Sequence, residues 1–126
     1  MNPNCSGVYQ DLAKDFSAIE PPTWALLLAE SLRSCGRDVL ILDADAERLS
    51  SEDTAKRILE TKSSFVLFVV YGQNPNSGTT GMSEVERVAQ LLSDAAEDRL
   101  VGVVGSHASA LPRQVLSIEG VDFVLL

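Results

Sequence analysis

Phe65-Val66-Leu67-Phe68-Val69-Val70-Tyr71 is an unbroken run of β-branched, aliphatic and aromatic residues. A strand with one face in water alternates apolar and polar side chains. A continuous apolar run is what a strand covered on both faces requires. Working outward, three further blocks share this character: Val-Leu-Ile-Leu-Asp at 39–43, Leu-Val-Gly-Val-Val-Gly at 100–105 and Val-Asp-Phe-Val-Leu-Leu at 121–126. The segments between them have helical spacing. The order is therefore helix, strand, helix, strand, helix, strand, short helix, strand. Such alternation predicts a doubly wound α/β domain.

Each predicted helix carries boundary signals. The first spans about 22–35, with Pro21 and Pro22 where a missing N–H costs nothing and Gly36 where positive φ suits the exit. Ala25, Leu28, Ala29 and Leu32 share one face, flanked by Trp24 and Leu27. The second spans about 51–62, opened by a Ser50/Asp53 capping box, with Ala55, Ile58 and Leu59 inward. The third spans about 83–97, with a Ser83/Glu86 capping box and a buried stripe of Val85, Val88, Ala89, Leu92 and Ala96. Residues 111–116 form a short helix or turn.

At the N-terminus, Asn2-Pro3-Asn4 reads as the exit of a strand whose body lies upstream. The other end is apolar to its last residue, Leu126. The expectation is one domain over 1–126, cut from a longer polypeptide. Its sheet is mainly parallel, of about five strands with helices on both faces and a truncated first strand, in the Rossmann-like or flavodoxin-like manner.

Composition narrows the function. The 126 residues suit one core. Net charge is −8, with the ten Lys and Arg scattered, so the chain repels phosphate backbones and nucleic acid is not an expected partner. No apolar run is long enough to cross a bilayer and no signal peptide is evident, which points to a cytoplasmic protein and no membrane partner. Cys5 and Cys35 match no metal-site spacing, no disulfide is expected, and with one histidine a protein-built metal site is not expected either.

In an open parallel sheet, ligands bind outside the carboxyl ends of the strands, where strand order reverses. Four loops qualify, at 2–20, 43–50, 71–81 and 105–112. The third is about eleven residues long, where about 2–6 is usual, and it holds no charge. Tyr71, Gly72, Gln73, Asn74, Ser77 and Thr79 offer neutral donors and acceptors there, beside glycines that let a ligand approach the backbone. The alternative is a merely solvated loop. In the fourth loop, Gly105, Ser106, His107 and Ala108 leave room for something bulky; a tight turn with a helix cap is the competing reading. His107 has no base or nucleophile partner in sequence, and Asp43 and Asp45 read as a solvated acidic loop. The chain has no G-x-x-x-x-G-K-[ST] phosphate loop, no G-x-S-x-G elbow and no poised carboxylate pair. Nothing in it catalyses a reaction alone.

Glu20-Pro21-Pro22-Thr23-Trp24-Ala25-Leu26-Leu27-Leu28-Ala29, then Leu32-Arg33, Gly36 and Val39-Leu40-Ile41-Leu42-Asp43-Ala44, resembles the opening of the cobalamin-binding domain of cobalamin-dependent radical-SAM enzymes. Gly105-Ser106-His107-Ala108 with Leu111-Pro112, followed by Gly120-Val121-Asp122-Phe123-Val124, is similar to that family's fourth loop and last strand. The resemblance implies a corrinoid-binding module that positions cobalamin for a separate, C-terminal radical-SAM domain. The iron–sulfur cluster and S-adenosylmethionine would belong to that partner, since the C-x-x-x-C-x-x-C motif is absent here. It also implies that the benzimidazole tail is displaced from cobalt and lodged among the polar atoms of 71–80 and the small residues of 105–108. Better-known cobalamin domains carry D-x-H-x-x-G after the first strand. Residues 2–20 hold no histidine, and His107 has Gly105 and Ala110 at the motif's Asp and Gly positions, so no histidine–cobalt bond is expected. The alternatives are a flavodoxin-like or receiver-like regulatory domain without cobalamin, and a small enzyme on the same fold. Val70-Tyr71-Gly72 lacks a receiver's phosphoacceptor aspartate, and Cys5-Ser6-Gly7 makes a poor flavin phosphate loop.

Overall fold

The computed structural model describes residues 1–4, 21–71, 79–95 and 98–126. In chain order the elements are α1 (Thr23–Ser34), α2 (Ser51–Glu60), β1 (Phe65–Val70), α3 (Met82–Asp94), β2 (Leu100–Gly105), α4 (Ser106–Ala110), α5 (Pro112–Leu116) and β3 (Phe123–Leu125). The three strands make one parallel sheet in the order β1-β2-β3. The domain is thus mixed α/β around a parallel sheet, as the apolar runs predicted. The sheet has three strands among the described residues, where about five were expected.

Register explains the core. β1 and β2 pair from Phe65 opposite Leu100 to Val70 opposite Gly105, and Gly102, Val103 and Val104 face Phe123, Val124 and Leu125. Alternation along each strand sends Val66, Phe68, Val70, Val101 and Val103 to one face. There they are buried with Ala55 and Ile58 of α2 and Val85, Val88, Ala89 and Leu92 of α3. Each fully buried Val or Phe contributes about 1.5–3 kcal/mol. On the other face the Phe123 ring lies across Gly102, where a Cβ would fall 2.2 Å from its Cζ. That ring stacks on Phe65 with centroids 5.5 Å apart.

The run at 39–43 is not a strand, which corrects the prediction. Its hydrogen bonds begin at its end: the Asn2 N–H donates to the Leu42 carbonyl (2.9 Å) and the Ala44 N–H to the Asn2 carbonyl (3.0 Å). Asn2 and Asp43 form an isolated parallel bridge. Parallel pairing of this run is confined to that bridge among the described residues. Leu40 is left 73% exposed. On its other side the Met1–Asn2 stub joins β1, since the Met1 nitrogen donates to the Leu67 carbonyl (2.7 Å) and the Val69 N–H to the Met1 carbonyl (2.9 Å). Side by side, the order is 42–44, Met1–Asn2, β1, β2, β3.

Helix boundaries follow the sequence signals with one exception. Ser50 Oγ accepts the Asp53 N–H at the start of α2 (3.1 Å), and Gly36 takes φ +74° after α1. Ser83, however, does not cap α3. The helix starts one residue earlier after Gly81, and Ser83 Oγ donates to the Thr80 carbonyl (3.0 Å).

Polar groups also sit between α2 and α3. Ser51 Oγ donates to Glu84 Oε2 (2.9 Å), and Arg87 pairs with Glu52 at the solvent edge. Glu84 Oε1 and the hydroxyl of fully buried Thr54 have no hydrogen-bond partner among the described residues. Burial pushes the Glu84 carboxyl above its ordinary range, with the Ser51 bond and Arg87 pulling it back. The folded chain therefore binds this proton more tightly than the unfolded one. Stability rises as pH falls from that raised value toward the ordinary one, and is lost again as pH climbs back. Glu84→Gln should remove this slope and raise stability at pH 7 by less than about 1 kcal/mol, because the half-exposed side chain is screened by solvent. Urea unfolding of both proteins between pH 4 and pH 7 measures it.

Candidate functional site at the carboxyl ends of the strands

The chain leaves the Met1–Asn2 position through α1 to reach 42–44 on one side, and then passes through α2 to β1 on the other side. Strand order therefore reverses between Met1–Asn2 and β1. An open α/β sheet has its binding crevice at such a point, outside the carboxyl ends.

The rim is built from the segments that leave the sheet at this end. On the side away from β1, Asp43 Oδ1 accepts from Asn2 Nδ2 (2.8 Å) and the Ala46 N–H (3.2 Å), while Asn4 Nδ2 donates to the Leu49 carbonyl (2.9 Å). Asp43, read from the sequence as part of a solvated acidic loop, is half-buried and hydrogen-bonded within its own turn. At the other side, the last β1–β2 pair is Val70 opposite Gly105, so Tyr71 and Ser106 leave the sheet as neighbours. Gly105 has φ +154° and ψ 174°, and a Cβ on it would lie 2.1 Å from the Val70 carbonyl oxygen. Only glycine fits so close an approach in that backbone region.

Of the residues picked from the sequence, Tyr71, Thr79, Gly105, Ser106 and His107 come together here. Thr79 Oγ1 lies 3.2 Å from His107 Nδ1, tying the far end of the long loop to α4. Tyr71, Thr79 and Ser106 are exposed and His107 is half-buried. Ala108 turns the other way. It is fully buried in the core with Val103 and Val115, so its side chain faces away from the rim. Gly72, Gln73, Asn74 and Ser77 lie outside the described residues. Sequence reasoning placed Trp24 beside a buried stripe, yet it is 53% exposed and packs on Tyr71, with ring centroids 5.0 Å apart and planes tilted by 31°. Its position just after paired prolines, as the sole tryptophan, was the available signal.

Among the described residues, no cluster of three His, Cys, Asp or Glu could hold a metal ion. The rim carries hydroxyls, an imidazole and aromatic rings, groups that can donate and accept hydrogen bonds and offer flat surface to a ligand. No helix of the described residues is long and apolar enough to cross a membrane.

A family model described as B12 binding domain matches residues 9–126. The chain belongs to the B12-binding domain family. No curated protein and no solved structure matches it. For a B12-binding domain the chemistry of the rim fits: a corrinoid presents mostly neutral carboxamides at its edge, and Tyr71, Thr79, Ser106 and His107 offer hydrogen-bonding groups to match.

Gly105 is the residue on which this geometry depends most. Gly105→Ala should cost about 2–4 kcal/mol, from the backbone region together with the collision at Val70. Ser106→Ala, next to it and exposed, should stay within about 0.5 kcal/mol of the wild type. Thermal and urea unfolding monitored by circular dichroism separate the two.

Proposed function

We propose that this B12-binding domain holds cobalamin at the carboxyl ends of β1 and β2 and positions it for a separate radical-SAM catalytic domain. The observation that carries the reading is the polar rim of Tyr71, Thr79, Ser106 and His107 beside the strand-order reversal, within a chain that matches the family over 9–126. Residues 20–44 and 105–124 support the radical-SAM partner through their likeness to the cobalamin domains of those enzymes. In this reading the iron–sulfur cluster and S-adenosylmethionine belong to the partner, the whole is cytoplasmic, and 42–44 with Met1–Asn2 mark two further strand positions in a five-position sheet.

The bound corrinoid supplies the cobalt chemistry. The chain's part is to bind and orient. Hydroxyls of Thr79 and Ser106 take the carboxamide edge, Gly105, buried against the Val70 carbonyl, fixes where β2 delivers Ser106 to the rim, and the segment 72–78 contributes Gly72, Gln73, Asn74 and Ser77. His107 is a positioning residue. Its Nδ1 is engaged by Thr79, and its surroundings lack the D-x-H-x-x-G pattern of a cobalt ligand. The regulatory alternative, a receiver-like domain, has Val70 and Tyr71 where β1 would need to end on an aspartate.

Purified protein mixed with hydroxocobalamin and desalted should keep the corrin absorption bands. A colourless protein would overturn the assignment. Ser106→Trp, at an exposed position, should abolish uptake with the fold intact by circular dichroism; undiminished uptake would remove the fourth loop from the site. His107→Ala should leave the visible spectrum of bound cobalamin in place, whereas a spectral shift on that substitution would reveal a histidine–cobalt bond.

A further inference from the structure

Trp24 and Tyr71 face each other across the two chain segments that flank the reversal of strand order. Trp24 stands in the first turn of α1, which comes after the Met1–Asn2 position in the chain, and Tyr71 is the first residue after β1. Their rings touch at 5.0 Å between centroids, yet Trp24 stays 53% and Tyr71 37% exposed. Large aromatic rings left this open at a binding crevice have a flat surface still to cover. The neighbouring rim residues Ser106, Thr79 and His107 supply polar contacts but no apolar plane.

From this arrangement we infer that Trp24, supported by Tyr71, forms an aromatic ledge that stacks on the planar heteroaromatic base of the ligand and so makes the site selective for the complete cofactor over its tail-less form. The inference rests on the cobalamin reading and adds Trp24, a residue from the helix side of the crevice, to it. The corrin macrocycle is a poor match for an indole face, because methyl and carboxamide substituents project from both of its sides. A benzimidazole is flat on both faces and can approach a ring to van der Waals distance. Stacking of a base on an aromatic side chain is worth about 1–3 kcal/mol by alanine substitution, about five- to a hundred-fold in affinity.

The discriminating experiment compares hydroxocobalamin with cobinamide, which has the same corrin but no nucleotide tail. Affinities are measured by equilibrium dialysis with visible detection, for wild type, Trp24→Ala, Trp24→Phe and Tyr71→Ala. The expected result is a loss of about tenfold in affinity for hydroxocobalamin with Trp24→Ala, a smaller loss with Tyr71→Ala, and near-wild-type binding with Trp24→Phe. Cobinamide affinity should change less than about twofold with Trp24→Ala and Trp24→Phe. Equal losses for both ligands, or no loss for hydroxocobalamin, would overturn the ledge while wild-type uptake still upholds the cobalamin site. Wild type binding neither ligand would instead sink the cobalamin reading itself. Because Trp24 is half open to solvent, Trp24→Ala should keep the wild-type circular dichroism spectrum, which identifies any affinity loss as local.

Discussion

Six residues of β1 lie in parallel register with six of β2, and the last pair brings Gly105 against the Val70 carbonyl with no room for a Cβ. That contact is where the hydrophobic core and the candidate site meet. Below it, Phe68 and Val103 are fully buried against α2 and α3. Above it, Tyr71 and Ser106 leave the sheet as neighbours, and the chain after each returns so that Thr79 meets His107. A slip of one residue would send the apolar set of β1 to the opposite face and separate these groups together. The rim is therefore a consequence of strand register, with little independent freedom.

The parts of this fold that depend on a residue's own neighbours were legible in the sequence. The runs at 65–71 and 100–105 became β1 and β2, the stripe Val85, Val88, Ala89 and Leu92 is buried as spaced, and Ser50 caps α2. What depends on distant partners was not. The segment at 39–43 has strand composition, but a strand exists only with a neighbour, and among the described residues only its end is paired, at the Asn2–Asp43 bridge. Ala108 sits in a small-residue loop by sequence, yet the single turn of α4 rotates it into the core. Ser51 and Glu84 are 33 residues apart, and nothing local announces that a serine at a helix start will meet a carboxylate on another helix.

The same distinction governs the site. What the sequence offers of it is compositional: the uncharged run 71–81, of which 72–78 lie outside the described residues, and the small residues of 105–108. Its membership was not legible. The rim gains Trp24 from α1 and loses Ala108 to the core, changes set by how α1 and α4 lie on the sheet rather than by residue type.

A net charge of −8 and the uncharged side chains of Tyr71, Thr79 and Ser106 pull in different directions, and the combination constrains how a ligand can be held. The acidic surface gives no long-range attraction to an anionic cofactor, and its field is damped within about 8–10 Å at ordinary ionic strength. Recognition must then come at short range, from hydrogen bonds to neutral groups and from apolar surface taken out of water. Those contributions are weakly sensitive to salt and strongly sensitive to shape. A large, mostly neutral molecule with amide edges and a flat aromatic appendage meets both conditions, whereas a free nucleotide, whose binding leans on phosphate charge, meets neither. Tyr71, Thr79 and Ser106, which carry no charge, suit such short-range contacts with a corrinoid, the ligand class of the family.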